Sequence, residues 1–235
     1  MPTRAEVDLL RTAQAELTKR VRRELASLAG TLTGNPQAIR DTLLQVVPAL
    51  VAEYGEVAAT ISAEWFEEVY GARAAMAAPI RAEFIEQGVR YAAGHLFEGN
   101  TAATISALDT KLDKWIKQAG RDTISASADR HNIAWARVPS GAKTCSFCLV
   151  MASRGAVYGR EWAAGGRGHD YHGDCDCQVV AVRSADDLPE GYDPDELYDL
   201  YSAARDAAGS GDIKDIAAAM RREFPDRVSD AVHDH

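Results

Sequence analysis

One constellation in the chain has residue types and spacing suited to specific chemistry: Cys145-x-x-Cys148, followed by His172-x-x-Cys175-x-Cys177. A C-x-x-C pair presents two soft thiolates close enough to clasp one metal ion, and zinc takes four such ligands as a tetrahedron. The second group closes the tetrahedron from across the module. His172, Cys175 and Cys177 are three candidates for its two places. On a regular strand Cys175 and Cys177 point to the same face, because the side-chain period is two. An all-cysteine site and a site with His172 in place of one cysteine both fit the spacing. Zinc would have a structural job here. A module of this size has few large apolar side chains of its own, and small domains that lack a core need a staple.

Catalytic readings use the same residues. Cys148 or Cys175 with His169 or His172 could form a thiol–imidazole pair, with Asp170 or Asp174 orienting the base. Ser153 with His172 is the serine version. The sequence has no G-x-S-x-G elbow, no H-E-x-x-H and no P-loop, so no catalytic signature supports an enzyme. His95 reads as an ordinary packed or half-exposed histidine, and His131 as a helix-end residue suited to the dipole there. His233 and His235 fall in a terminus expected to fray. Trp65, Trp115 and Trp135 read as core aromatics, and Trp162 is placed to shield the module.

The elements that position these groups follow from periodicity. Thr3-Arg4-Ala5-Glu6 matches a capping box and opens a helix over about 4–29, carrying Val7, Leu10, Leu17, Val21 and Leu25. Asn35-Pro36 starts a second long helical stretch to about Val69. Pro48 is expected to kink or split it, since proline lacks the donor and clashes with the preceding turn. A linker is expected from Gly71 to Pro79, and a helix from Ile80 to Phe97. A further helix capped by Thr101 is expected to run to about Asp129. Short strands are expected at Ile133–Val138 and Cys177–Val182, rich in β-branched residues. Between them, Cys145 to Ser153 reads as a short helix, Pro139-Ser140-Gly141 as a turn and Gly165–Gly168 as a flexible loop. Pro194 opens a helix that Gly209-Ser210-Gly211 breaks, and Ile213 to Phe224 forms a last short one.

Composition agrees with a folded, helical chain. Of the 235 residues, 46% are hydrophobic and 26% charged, which disfavours wholesale disorder. Alanine, the best helix former, is abundant. No apolar run approaches the length of a membrane span, and the N-terminus carries charges where a secretory signal would be apolar. Without such a signal, clustered thiols point to metal before disulfide. The net charge of −9 is carried by the stretch from Asp186 onward, so a near-neutral body precedes an acidic tail, expected to be solvated. That balance disfavours general nucleic-acid binding, which needs a positive surface. The fold class expected is mostly α: an elongated helical body over 1–130, a small α+β zinc-knuckle-like module over 131–184, and a short acidic helical tail over 185–235.

The module also resembles a known family. Ala136-Arg137-Val138-Pro139 with Thr144-Cys145-Ser146-Phe147-Cys148 is similar to the cysteine module of minor head proteins of tailed phages. So are Met151-Ala152-Ser153-Arg154-Gly155-Ala156-Val157-Tyr158 and Tyr171-His172-Gly173-Asp174-Cys175-Asp176-Cys177. The group is the phage Mu F-like head morphogenesis family, in its actinobacteriophage form. The resemblance implies a minor capsid protein in the virion, at the head interior or portal vertex, assembled in the bacterial cytoplasm. It implies the portal protein and the major capsid protein as partners, DNA inside the head as a further contact, and no membrane. Structural Zn2+ at Cys145, Cys148, His172, Cys175 and Cys177 is the cofactor expected. Members are often labelled capsid maturation proteases, which would use a cysteine or serine with a histidine. A zinc-knuckle nucleic-acid binder, using Arg154, Arg160 or Arg167, is the remaining alternative. Two positions depart from the family's usual final motif: Gly173 stands where a proline is common, and Asp176 where a basic residue is.

Overall fold

A computed structural model describes residues 2–140, 144–158, 171–173, 175, 177–184 and 187–228. Helix α1 (Arg4–Ala29) begins at the expected capping box, where the Thr3 hydroxyl accepts from Glu6 N and the Glu6 carboxylate accepts from Thr3 N. Helix α2 (Pro36–Tyr70) begins with Asn35 accepting from Ala38 N at 2.9 Å and ends at Gly71, whose φ of 60° suits glycine. Helix α3 (Ala82–Ala92) tightens into a 3-10 turn, Ala93–Glu98, that Gly99 stops with a φ of 75°. Helix α4 (Thr101–Arg130) follows directly. Two expectations are corrected and one, at Pro48, is narrowed. Pro48 does not split α2: buried Val47, Leu50 and Val51 hold the helix on both sides of the missing donor. The cap of α4 is Asn100, not Thr101, because the Asn100 side chain reaches Ala103 N at 2.9 Å. The helix expected over Ile80–Phe97 is α only between Ala82 and Ala92.

The apolar stripes of these helices form a first core cluster. It joins Leu17, Val21 and Leu25 of α1 to Leu43, Val47, Leu50 and Val51 of α2, Ile85 and Val89 of α3, and Leu108, Leu112 and Ile116 of α4. By length and composition alone α2 is apolar enough to cross a membrane. Here its apolar residues build this core instead. Among the described residues no other helix passes that test.

A second cluster holds the module. Strands β1 (Ala134–Val138) and β2 (Gln178–Val182) pair antiparallel, with Ala134 opposite Val182 and Val138 opposite Gln178. Helix α5 (Ser146–Ala152) packs beside β1. Val7 and Leu10 of α1, Trp65, Phe66 and Tyr70 of α2, and Ile124 and Ala128 of α4 complete this cluster from the helical side. Polar clamps tie the two together: Tyr70 OH donates to Ala181 O and Arg183 Nη2 donates to Tyr70 O, at 2.8–2.9 Å, while Trp65 Nε1 donates to Glu6 O and joins α2 to α1. His131, the C-cap of α4, bonds Arg73 O through Nε2 at 2.8 Å and stacks on Phe66.

The acidic tail is less solvated than its charge suggested. Helix α6 (Pro194–Ala208) is capped by Asp193, and helix α7 (Ile213–Glu223) by Asp212. Both pack on α5 and bury Leu197, Ala204, Ile216, Ala219 and Met220 in the module's cluster. Among the described residues, the carboxylates from Glu190 to Asp226 are exposed while this apolar face is covered. Tyr192 OH donates to Ala152 O at 2.7 Å, Arg221 donates to Ser146 Oγ at 3.0 Å, and Thr144 N donates to Arg227 O at 3.1 Å. The expected loop over 165–168, the frayed end with His233 and His235, and Trp162 lie outside the described residues.

Truncating Met220, fully buried in the tail, to alanine is expected to lower stability by about 2–5 kcal/mol. Leu9→Ala, at a side chain 67% exposed, is expected to change it by less than about 0.5 kcal/mol. Urea denaturation of both variants checks the pair.

Candidate metal centre

The five candidate ligands come together. Cys145 is the N-cap of α5, and its Sγ accepts from Cys148 N at 3.2 Å. That turn places the first two sulfurs on one side of the helix start. Cys175 and Cys177 sit on the approach to β2, close before Gln178, and His172 precedes them. The donor atoms of Cys145, Cys148 and His172 all lie within 4.8 Å of one another, as do those of Cys148, Cys175 and Cys177. Cys148 belongs to both groups. Its Sγ is 3.1 Å from Cys175 Sγ and 3.9 Å from His172 Nε2. Cys145 Sγ lies 2.6 Å from the same imidazole nitrogen. His172 Nδ1 donates to Gly173 O, so Nε2 is the nitrogen left to act as a ligand.

All four cysteines are free thiols, and Cys148, Cys175 and Cys177 are fully buried. Their hydrogen bonds converge on one sulfur. Bonds from Cys145, Cys175 and Cys177 hold the Cys148 thiol well below its usual range. Sharing with Cys148, followed by burial, pushes Cys145 up. Cys177 rises through its bonds to Cys148 and Cys175, and Cys175 rises through its bond to Cys148. Burial works against a charged His172, but the bond and charge of Cys148 outweigh it and raise the imidazole. Without metal the cluster therefore concentrates its negative charge on Cys148. A metal ion would displace the remaining thiol protons, because only thiolates bind.

Residues far away in the chain frame this cluster. Arg121 of α4 donates to Cys177 O at 3.0 Å and to Cys175 O at 2.5 Å, and Lys117 one turn earlier donates to Cys175 O at 3.4 Å. Lys117 is itself paired with Asp113 at 2.8 Å. Arg137 of β1 reaches Cys148 Sγ at 3.6 Å. Burial opposes its charge, yet the Tyr171 phenol and the thiols of Cys148, Cys177 and Cys175 hold it firmly protonated. The Tyr171 ring lies between the two guanidinium groups, 4.2 Å from Arg121 and 3.8 Å from Arg137. Spacing could not reveal Arg121 or Lys117. The only hint was a pair of cations four apart on a helix otherwise rich in core residues.

Gly173 has a steric reason in place of the expected proline. A Cβ there would lie 2.1 Å from Thr110 Cγ2 and 2.8 Å from Thr110 O of α4. The chain beside His172 thus touches the helix backbone directly.

The other sequence candidates stand elsewhere. Ser153 Oγ donates to Val150 O at 2.8 Å and is the C-cap of α5. His95 is bonded to Glu98 at 3.2 Å on the helical body. Arg154 is exposed just past α5. His169, Asp170, Asp174, Asp176, Arg160 and Arg167 lie outside the described residues.

Fold and site together define a mostly helical protein carrying a small two-stranded module whose cysteines and histidine could hold a metal ion. The family described as VG15 protein matches residues 1–204, a span that covers the helical body, the module and most of α6. The chain belongs to this family of phage proteins. No curated protein and no solved structure matches it.

Gly173→Ala is expected to cost about 1–3 kcal/mol of stability and to weaken metal binding, because Thr110 cannot yield its backbone. Thermal melts and metal titration of the variant check this. A pH dependence also follows. A thiol whose folded pKa is raised contributes stability that is present below its unfolded value, about 8.5, and is lost as pH rises above it. Cys145, Cys175 and Cys177 behave this way, and Cys148 in the opposite sense, losing its contribution only as pH falls. The metal-free protein is therefore expected to weaken between about pH 8.5 and 10, measured by urea denaturation in chelator.

Proposed function

We propose that this chain is a minor head protein of a tailed phage, of the Mu F-like type, whose cysteine module is closed by one structural zinc ion. The observation that carries the reading is the convergence of four further soft or borderline donors on the buried Cys148. Four thiols and an imidazole are the ligand chemistry of structural zinc, and calcium or magnesium would need oxygen donors. The ion would supply no reaction. It would hold α5 against the approach to β2 and so fix the module that α4, α6 and α7 cover. Cys148, common to both donor groups, is the ligand that no arrangement can omit. Membership of a family of phage proteins supports the viral setting, and the motif resemblance supports the head.

In this role the helical body supplies the contacts to portal protein and major capsid protein at the inside of the head or the portal vertex. Amphipathic helices dock by laying apolar faces into partner grooves. A second reading, a capsid maturation protease, rests on one contact: Cys145 Sγ and His172 Nε2 lie against each other, as a thiol–imidazole pair requires. In that reading Cys145 is the nucleophile and His172 its base.

Native mass spectrometry of the purified chain, with a thiol count before and after denaturation, separates the two. The zinc reading expects one zinc per chain and thiols that react only after unfolding. Cys148→Ser is expected to abolish zinc binding and to unfold the module. Absence of metal together with a reactive Cys145 thiol would transfer the assignment to the protease. Mass spectrometry of purified phage particles tests the location, with the chain expected in the head fraction.

A further inference from the structure

Resting on that zinc reading, we propose that Arg121 is the counter-charge of the metal–thiolate cluster and acts on the metal through its ligands. Arg121 is 1% exposed, and its guanidinium keeps its charge inside the fold. Burying a charge is costly unless an opposite charge meets it. Among the described residues no carboxylate forms an ion pair with Arg121. Its neutral partners are Cys175 O, Cys177 O and the face of Tyr171, and Nη1 is buried without a hydrogen-bond partner.

The neighbouring cation on the same helix behaves differently. Lys117 also donates to Cys175 O, but Asp113 neutralises it at 2.8 Å. Among the described residues Arg121 is thus a buried cation beside the cluster that no carboxylate neutralises. The two carbonyls it grips belong to the residues that carry two of the sulfur donors, so the guanidinium is fixed to the backbone of both, and its charge bears on the Cys175 thiol. A zinc ion held by three thiolates and an imidazole carries a net charge of −1, and one held by four thiolates carries −2. Either cluster is the anion that this position lacks. With metal bound, the charge of Arg121 offsets one unit of the cluster's negative charge across the contact between α4 and the module.

A purely structural role for Arg121, as a hydrogen-bond clamp on the chain at 175–177, makes different demands. Arg121→Gln keeps donors and removes the charge. Arg121→Lys keeps the charge and loses the fork. Zinc affinity of the full chain, measured by chelator competition, is expected to fall roughly tenfold or more in Arg121→Gln and to stay within about threefold in Arg121→Lys. The cobalt-loaded protein gives a second readout. Removing a cation beside the thiolates raises their electron density, so the sulfur-to-cobalt charge-transfer band is expected to shift to longer wavelength in Arg121→Gln only. Wild-type affinity and an unmoved band in Arg121→Gln would overturn the proposal. If Arg121→Gln does not fold, Arg121→Lys decides: retained affinity supports the counter-charge, and a tenfold loss overturns it. A wild-type chain that binds neither zinc nor cobalt would instead refute the zinc reading itself, before any variant is compared.

Discussion

Two five-residue strands and a seven-residue helix cannot hold five donor groups in place by themselves. The rest of the structure is organised around that constraint. The module is held from two sides. On one, α4 meets it through Arg121 and Lys117 at the backbone of Cys175 and Cys177, and through Thr110 against Gly173. On the other, α6 and α7 cover α5 with an apolar face and with the bonds from Tyr192 and Arg221. The cysteines supply chemistry, and their arrangement comes from what surrounds them.

Helix α4 is the element through which this works. Its first half contributes Leu108, Leu112 and Ile116 to the apolar core of the helical body. Its second half contributes Ile124 and Ala128 to the core of the module. Between them lies a polar stretch: Asp113, Lys117, Gly120 and Arg121 are buried where α1, α2 and the module meet it. Gln14 and Ser62 hydrogen-bond across this layer, against Gly120, where a Cβ would lie 2.5 Å from Ser62 Oγ. Buried polar groups of this kind carry a cost unless satisfied, and they fix one arrangement of the helices where an all-apolar seam would permit several.

The charge pattern has a matching logic. The acidic tail looked separable because its carboxylates are so many. Yet α6 and α7 are ordinary amphipathic helices, and one face of each belongs to the module. The family match ends at residue 204, inside α6, so the family's common span includes the first layer of this covering.

Much of this was legible in the sequence. Local rules gave the capping box of α1, the Asn35-Pro36 start, the strands and the C-x-x-C turn, because each depends on neighbours a few residues apart. They misplaced the cap at Thr101, where Asn100 reaches the backbone first, and left open at Pro48 a split that does not occur, because burial on both sides outweighs one lost hydrogen bond. The ligand residue types were likewise written in the chain. Their meeting point was not. That Cys148 is shared by both donor groups, that Arg121 and Arg137 both lie over Tyr171, and that Gly173 must be small are consequences of segments from 24 to more than 50 residues apart being brought together. Sequence periodicity encodes which face of an element is apolar. Only packing decides which other face it meets, and therefore which buried charge stands behind which sulfur.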